Sequence, residues 1–216
     1  MNHKEIIQKT EKFINSEFRT EGSGHDWFHV DRVRKMAIRI GKQEGCDLFV
    51  TEMAALLHDL DDWKLNRSEV GIDLRAGEWL AGLELESGVT GTILGVIEEV
   101  SFKGAGISTP VSSAEAAVVQ DADRLDAIGA IGIARTFAYG GHKSRLIYDP
   151  SVIPVLHDNF RSYQESTAPT VNHFYEKLLL LKDRMNTDTA KSIAAGRHRF
   201  MEKYLRQFYD EWETVK

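Results

Sequence analysis

No proline occurs before position 110, and the four in the chain stand at 110, 150, 154 and 169. Proline lacks a backbone donor and breaks a helix interior, so half of this chain is free of the strongest helix terminator. Helices are therefore the expected elements. Val30, Val33, Ala37 and Ile40 recur at three- and four-residue steps opposite Arg32, Lys35, Arg39 and Lys42, which predicts an amphipathic helix over 26–43. Phe49, Met53, Leu56, Leu57 and Leu60 predict a second over 48–60, and 68 or 73 to 80 and 90–100 read in the same way.

Ser112 followed three residues later by Glu115 has the form of a capping box, and it opens the apolar stretch AEAAVVQDADRLDAIGAIGIARTF. Residues 139–154 (YGGHKSRLIYDPSVIP) read as a loop, and two closing helices are predicted over 171–185 and 189–212. Strand-like alternation is scarce and no internal repeat occurs. The expected fold class is all-α, a single compact bundle over residues 1–216 with a core at about 20–135 and C-terminal helices from 150 to 216 packed on it.

Charge and cysteine usage narrow the function classes. The net charge of -6 comes from 33 acids against 27 bases without a long block of either sign, which argues against a nucleic-acid groove. A small phosphorylated ligand remains compatible, because it needs only a few aimed cations and a metal. The single cysteine, Cys46, cannot pair within the chain. The N-terminal MNHKEIIQKTEKF carries Lys and Glu where a signal peptide needs an apolar run, and no stretch approaches about 18 apolar residues. These features predict a cytoplasmic protein with neither a membrane nor a nucleic-acid partner; they leave the oligomeric state open.

His-Asp occurs at 25/26, 58/59 and 157/158, so context must separate the three. His58-Asp59 closes the apolar run MAALLHDL, where a charge is rarely buried without a partner or a metal. Asp62 follows His58 by four residues and Asp59 by three, a helical spacing that sets its carboxylate beside both. Asp121, Asp123, Arg124 and Asp126 likewise interrupt a helix that is apolar around most of its circumference. A buried Asp-Arg network explains that segment as well as a metal does. His29, one turn into its own helix, supplies the further ligand that the metal reading needs.

Two imidazoles and two carboxylates make a mixed site suited to one divalent transition metal, Mn, Fe, Co, Ni or Zn, more than to Mg, and Mn is the ion expected here. A rival arrangement is His25 with His29 at i and i+4, as in zinc proteases, with Asp26 near the place of the protease glutamate. Asp is too short to reach the same water, and nothing else in the chain completes that pattern.

The order His29, His58-Asp59, Asp123 resembles the H…HD…D signature of the HD superfamily of metal phosphohydrolases. The pieces HDWFHVDRV, AALLHDLDDWK, EEVSFKG and QDADRLDAIGAIGIARTFAYGG are similar to bacterial HD hydrolases of the YedJ/YpgQ type. The tail HFYEKLLLLKDRMNT…A…RHRFM extends the likeness over nearly the whole chain. The resemblance implies one catalytic divalent metal held by His29, His58, Asp59 and Asp123, the last chosen over Asp121 because it precedes a basic residue. It also implies hydrolysis of a phosphoester or phosphoanhydride (class 3.1 or 3.6), with nucleoside triphosphates as substrates; a nucleoside triphosphate pyrophosphohydrolase attacks the α-phosphorus and releases pyrophosphate, attack at a terminal phosphorus releases orthophosphate, and the sequence does not choose between them.

Within that frame Asp62 orients or deprotonates water, and Arg124 contacts phosphate, while Asp121 and Asp126 support the ligands or pack the helix. Lys64 and Lys103 are candidates to clamp phosphate oxygens, and His25 to contact phosphate or support His29. YGGHKSR (139–145) offers glycines with Lys143 and Arg145 as a phosphate cradle, though it lacks the G-K-[ST] ending of a P-loop and reads better as a lid over the site. His157-Asp158 and His173 are expected to be structural, and His198 to lie on a solvated face. The alternatives are a phosphodiesterase or alarmone hydrolase using the same site, or a metal-loaded nucleotide sensor without turnover.

Overall fold

A computed structural model describes residues 1–18, 26–60, 74–100, 109–156 and 166–215. Among these residues there are α-helices, one 3-10 helix and no strand, so the fold is all-α as the proline distribution predicts. The α-helices are α1 (His3–Glu17), α2 (Trp27–Glu44), α3 (Leu48–Leu57), α4 (Leu74–Ala81), α5 (Val89–Glu98), α6 (Ala114–Asp126), α7 (Gly129–His142), α8 (Asn172–Glu176) and α9 (Asp188–Trp212). The 3-10 helix spans Leu178–Arg184. The chain groups into two compact units, Met1–Phe102 with Thr109–Asp123, and Lys103–Ser108 with Arg124–Lys216.

In the first unit α3 is the central element. Phe49, Val50, Thr51 and every residue from Met53 to Leu57 are buried, which fits its apolar sequence LFVTEMAALL. Around it pack α1, presenting Ile6 and Ile14, α2, presenting Val30, Val33, Ala37 and Ile40, and α5, presenting Ile93, Val96 and Ile97. Full burial of each large aliphatic side chain contributes about 1.5–3 kcal/mol, so this cluster is what fixes the ends of α2 and α3. Asp26 starts α2, its Oδ1 accepting the His29 N–H at 2.8 Å, and Gly45 ends it in the left-handed region at φ 74°. Asp47 starts α3 by accepting from Phe49 N and Val50 N.

In the second unit α9 packs on α7 and on the 3-10 helix. Its aromatic residues form a continuous set: Phe174 stacks on Tyr204 with centroids 6.0 Å apart, and Tyr148 meets Phe208, Tyr209 and Trp212 edge-on at 5.8, 5.4 and 5.0 Å.

Several elements depart from the sequence expectation. The capping box lies at the N-terminus of α1, where Asn2 and Glu5 bond each other's backbone N–H. At α6 the cap is Ser113, whose Oγ accepts from Ala116 N, and Glu115 instead accepts from Asp47 N at 3.0 Å. The long apolar stretch after Ser112 divides at Ala127–Ile128, where Gly129 takes φ 80° and lets Arg197 pass; a Cβ there would sit 3.0 Å from its Cγ. The helix expected over 171–185 breaks at Lys177, with φ -142°. Beyond it the threefold 3-10 period places buried Leu178 and Leu181 on one face.

Tyr139–His142, expected as loop, are the last turn of α7. Gly140 allows Thr170 to pack against that turn, since a Cβ would clash with Thr170 Oγ1, so close packing accounts for this glycine. His198 is not on a solvated face. Its side chain is 14 % exposed, Nδ1 is buried without a hydrogen bond, and Nε2 lies 3.4 Å from Glu202.

Candidate metal centre

The first turn of α2, the C-terminal end of α3 and the last turn of α6 converge in the first unit. His29 Nε2 lies 3.2 Å from Asp59 Oδ2 and 3.6 Å from Asp123 Oδ1. His58 Nε2 lies 3.5 Å from Asp59 Oδ1 and 4.0 Å from Asp123 Oδ1. The two imidazoles meet at 66° with centroids 5.4 Å apart. His29, His58 and Asp59 are buried, and each offers an atom within 4.8 Å of the others, a spacing that a single ion can bridge. Asp123 is the least buried member, its side chain 29 % accessible.

His58 Nδ1 meets the Ala55 carbonyl at 2.8 Å. A carbonyl oxygen only accepts, so Nδ1 carries the proton and Nε2 presents a lone pair. That lone pair is buried, makes no hydrogen bond, and faces two carboxylates. Lone pair against carboxylate in a largely buried pocket is repulsive, and a cation between them removes the repulsion. The donor set of two imidazole nitrogens and two carboxylates fits a divalent transition metal.

The Ala55 carbonyl and the Asp26 cap are functional groups that the sequence reading passed over. Both were visible in principle, as an i-3 carbonyl in a helix that ends at the histidine and as a D-x-x-H string opening a helix. The cap also counts against the zinc-protease arrangement, because Asp26 Oδ1 is committed to the His29 N–H.

The remaining candidates separate. Asp121 is fully buried two residues before Asp123. Asp126 is buried and paired with Arg135 at 2.7 Å. Arg124 is buried in the second unit, where its Nη1 donates to the Arg184 carbonyl. Lys143 and Arg145, also in the second unit, both lie 5.6 Å from the Tyr139 ring, and Arg145 donates to the Ser166 carbonyl. His25, Asp62, Lys64, Lys103 and the His157-Asp158 pair lie outside the described residues. His173 sits in α8, part-buried, where its carbonyl accepts from Lys177 N.

Comparison with known proteins decides the family. The HD domain model matches residues 27–128, a span that holds all four converging side chains. Bacillus subtilis YpgQ is 40 % identical over 90 % of this chain and 88 % of its own length. The chain belongs to the HD family. A Bacillus thuringiensis protein described as an HD-superfamily hydrolase is 46 % identical, with TM-score 0.77 over 98 % of this chain and 99 % of that one. YpgQ in complex with ADP matches at TM-score 0.75 and 36 % identity, over 95 % of this chain and 97 % of that one. A Lactobacillus plantarum protein gives TM-score 0.86 at 36 % identity, over 99 % and 100 %. As an HD-superfamily member the chain is a hydrolase whose His29, His58 and Asp59 cluster is placed to bind a divalent metal. No described helix is long and apolar enough to cross a membrane.

Proposed function

We propose that the protein is a metal-dependent phosphohydrolase acting on a nucleotide, cleaving a nucleoside triphosphate to release pyrophosphate. The observation that carries this reading is the buried His58 Nε2 facing the Asp59 and Asp123 carboxylates, a pocket whose electrostatics favour a cation. The nucleotide is supported by the relative YpgQ, whose structure contains ADP.

In this reading His29, His58, Asp59 and Asp123 hold one divalent ion, Mn before Fe, Co, Ni or Zn. When bound, the ion supplies Lewis acidity that lowers the pKa of a water and offsets charge on the phosphate oxygens. The chain's own groups do the rest. Ala55 holds His58 in one tautomer through Nδ1. Asp62 orients or deprotonates the attacking water. Lys64, Lys103, Arg124, Lys143, Arg145 and His25 are the groups assigned to substrate oxygens, each from its place in the sequence.

The test is to strip the protein of metal, restore each divalent ion in turn with a panel of nucleoside triphosphates, and identify products by phosphorus NMR. Pyrophosphate with a nucleoside monophosphate, formed only with added metal, is the expected result. Orthophosphate, or binding without turnover, would replace this reading with a terminal phosphatase or a nucleotide sensor.

A further inference from the structure

His29 stands in the first turn of α2, the part of a helix least able to hold a side chain still. The opening N–H groups of a helix have no partner inside it, so this turn frays unless something outside fastens it. From Val30 onward α2 is held by burial, since Val30, Val33, Ala37 and Ile40 are fully enclosed. On the other side of His29 burial gives less. Phe28 is 66 % exposed and Trp27 is half-buried.

Among the described residues the fastening there is Asp26. It stands outside the helix at φ -82° and ψ 170°, and its Oδ1 accepts the His29 N–H at 2.8 Å. The same N–H meets the Asp26 carbonyl at 3.0 Å, and the Val30 N–H reaches that carbonyl at 3.3 Å. Asp26 thus closes the turn twice, through its backbone and through its side chain, and the amide that its carboxylate holds belongs to the histidine itself.

The tolerance at the far end of that histidine is small. His29 is fully buried, with Nε2 3.2 Å from Asp59 Oδ2 and 3.6 Å from Asp123 Oδ1. A set of ligands that one ion bridges has to be held to within about 0.5 Å of its bonding geometry. A turn that passes from helical to extended lengthens by about 2 Å per residue, which carries the imidazole well outside that limit. The two imidazoles are fastened from the same distance along the chain, three residues back. His58 is fixed through its ring, by Nδ1 on the Ala55 carbonyl, and His29 through its backbone, on the Asp26 carboxylate. The Ala55 anchor is a backbone group that substitution cannot remove. The Asp26 anchor is a side chain, so the sequence controls it.

We infer that Asp26 is a positioning residue of the metal centre: by capping α2 on the His29 amide it sets where the imidazole stands, and through that the affinity for the ion. The inference rests on the metal reading of this site given above. Asp26 acts without touching ion or substrate. What it supplies is the ordering of a ligand before the ion arrives, so that binding does not have to order it. By linkage the effect runs both ways, and an ion on His29 also steadies the turn that Asp26 caps.

The test is titration of the metal-stripped full chain with Mn, the free ion being read by electron paramagnetic resonance. Asp26→Ala should bind Mn about 10- to 100-fold more weakly than the parent, the loss typical of a group that holds a ligand in place. Asp26→Glu keeps the charge on a side chain too long to cap, and should fall with Asp26→Ala. Asp26→Asn and Asp26→Ser cap a helix about as well as Asp without its charge, so both should stay within about threefold of the parent. The control is Asp47→Ala, which removes the cap of α3 at the end of that helix remote from His58, where Oδ1 accepts from Phe49 N and Val50 N. It should lower the melting temperature yet leave Mn affinity within about threefold. The rise in melting temperature on adding Mn is a second readout, and it should shrink in Asp26→Ala but not in Asp47→Ala. Parental affinity in Asp26→Ala and Asp26→Glu, or a loss in Asp26→Asn or Asp47→Ala equal to that in Asp26→Ala, overturns the inference. A parent that takes up no Mn refutes the metal reading itself, and this inference with it.

Discussion

Asp123 Oδ1 stands 3.6 Å from His29 Nε2, and Asp121, two residues earlier on the same helix, is fully buried. Residues two apart on a helix point about 200° away from each other, so only one of these carboxylates can face the histidines. Asp123→Asn is therefore expected to lose both bound metal and turnover. Asp121→Asn should cost no more than the roughly 10- to 100-fold of a group that only supports a ligand. A metal titration of the two variants checks the order, and the reverse order would reassign the fourth ligand.

Metal content gives a second prediction. The parent should take up about one transition-metal ion per chain, and His58→Ala or Asp59→Ala should abolish uptake, as read by elemental analysis after dialysis. Removing His58 also removes a buried lone pair that faces two carboxylates, so the metal-free variant should melt no lower than the metal-free parent by more than the lost packing, about 1–2 kcal/mol. A fully loaded variant would disprove the site.

Gly140 supplies a prediction about stability alone. An added Cβ meets Thr170 Oγ1 at 2.2 Å and Thr170 Cβ at 3.1 Å. Ala favours a helix over Gly by about 1 kcal/mol, but overpacking of this kind costs typically about 1–3 kcal/mol, so Gly140→Ala should be neutral to destabilising by about 2 kcal/mol. Adding Thr170→Ala removes the clashing Oγ1 and Cγ2 and should recover most of the loss. Urea denaturation of the single and double variants measures this.

Tyr209 links stability to alkaline pH. Burial first, then the 3.1 Å hydrogen bond with Tyr175 and the neighbouring Tyr175 and Tyr148 phenols, push its hydroxyl well above the ordinary value of 10.0. The unfolded chain ionises first as pH rises through 10, so this contribution to stability is complete below that pH and is lost progressively above it. Tyr175→Phe should bring the Tyr209 transition down, detected as earlier phenolate absorbance near 295 nm.

Much of the fold and the site was legible in the chain because periodicity and forced burial are local signals. Val30 through Ile40 marked α2 within a residue or two of its ends, and the His58-Asp59 pair declared itself by closing an apolar helix. What was missed depends on contacts distant in sequence. Glu115 resembled a capping-box acid to Ser112, yet it is used by Asp47, 68 residues away. Gly140 and Gly141 suggested a phosphate loop, while Thr170 gives Gly140 a packing role that no local pattern reveals. The α1 helix was overlooked although Asn2 and Glu5 spell its cap.

The bond from Asp47 N to Glu115 Oε1 joins the starts of α3 and α6, and the approach of His58 to Asp123 joins their ends. The two helices therefore run in the same direction, and both bring their C-terminal ends to the histidines. Each such end carries a partial negative charge of about half an electron, so the pocket has a negative potential beyond that of its own carboxylates. The start of α2 is of the opposite sign, but Asp26 already caps it. Under the proposed function this potential would repel a phosphate from the metal-free pocket and draw in a divalent cation, so the expected order is cation first, nucleotide second. Calorimetric titration with nucleotide in the presence of chelator should accordingly show binding weaker by at least about 100-fold, about 2.7 kcal/mol, than with the ion in place.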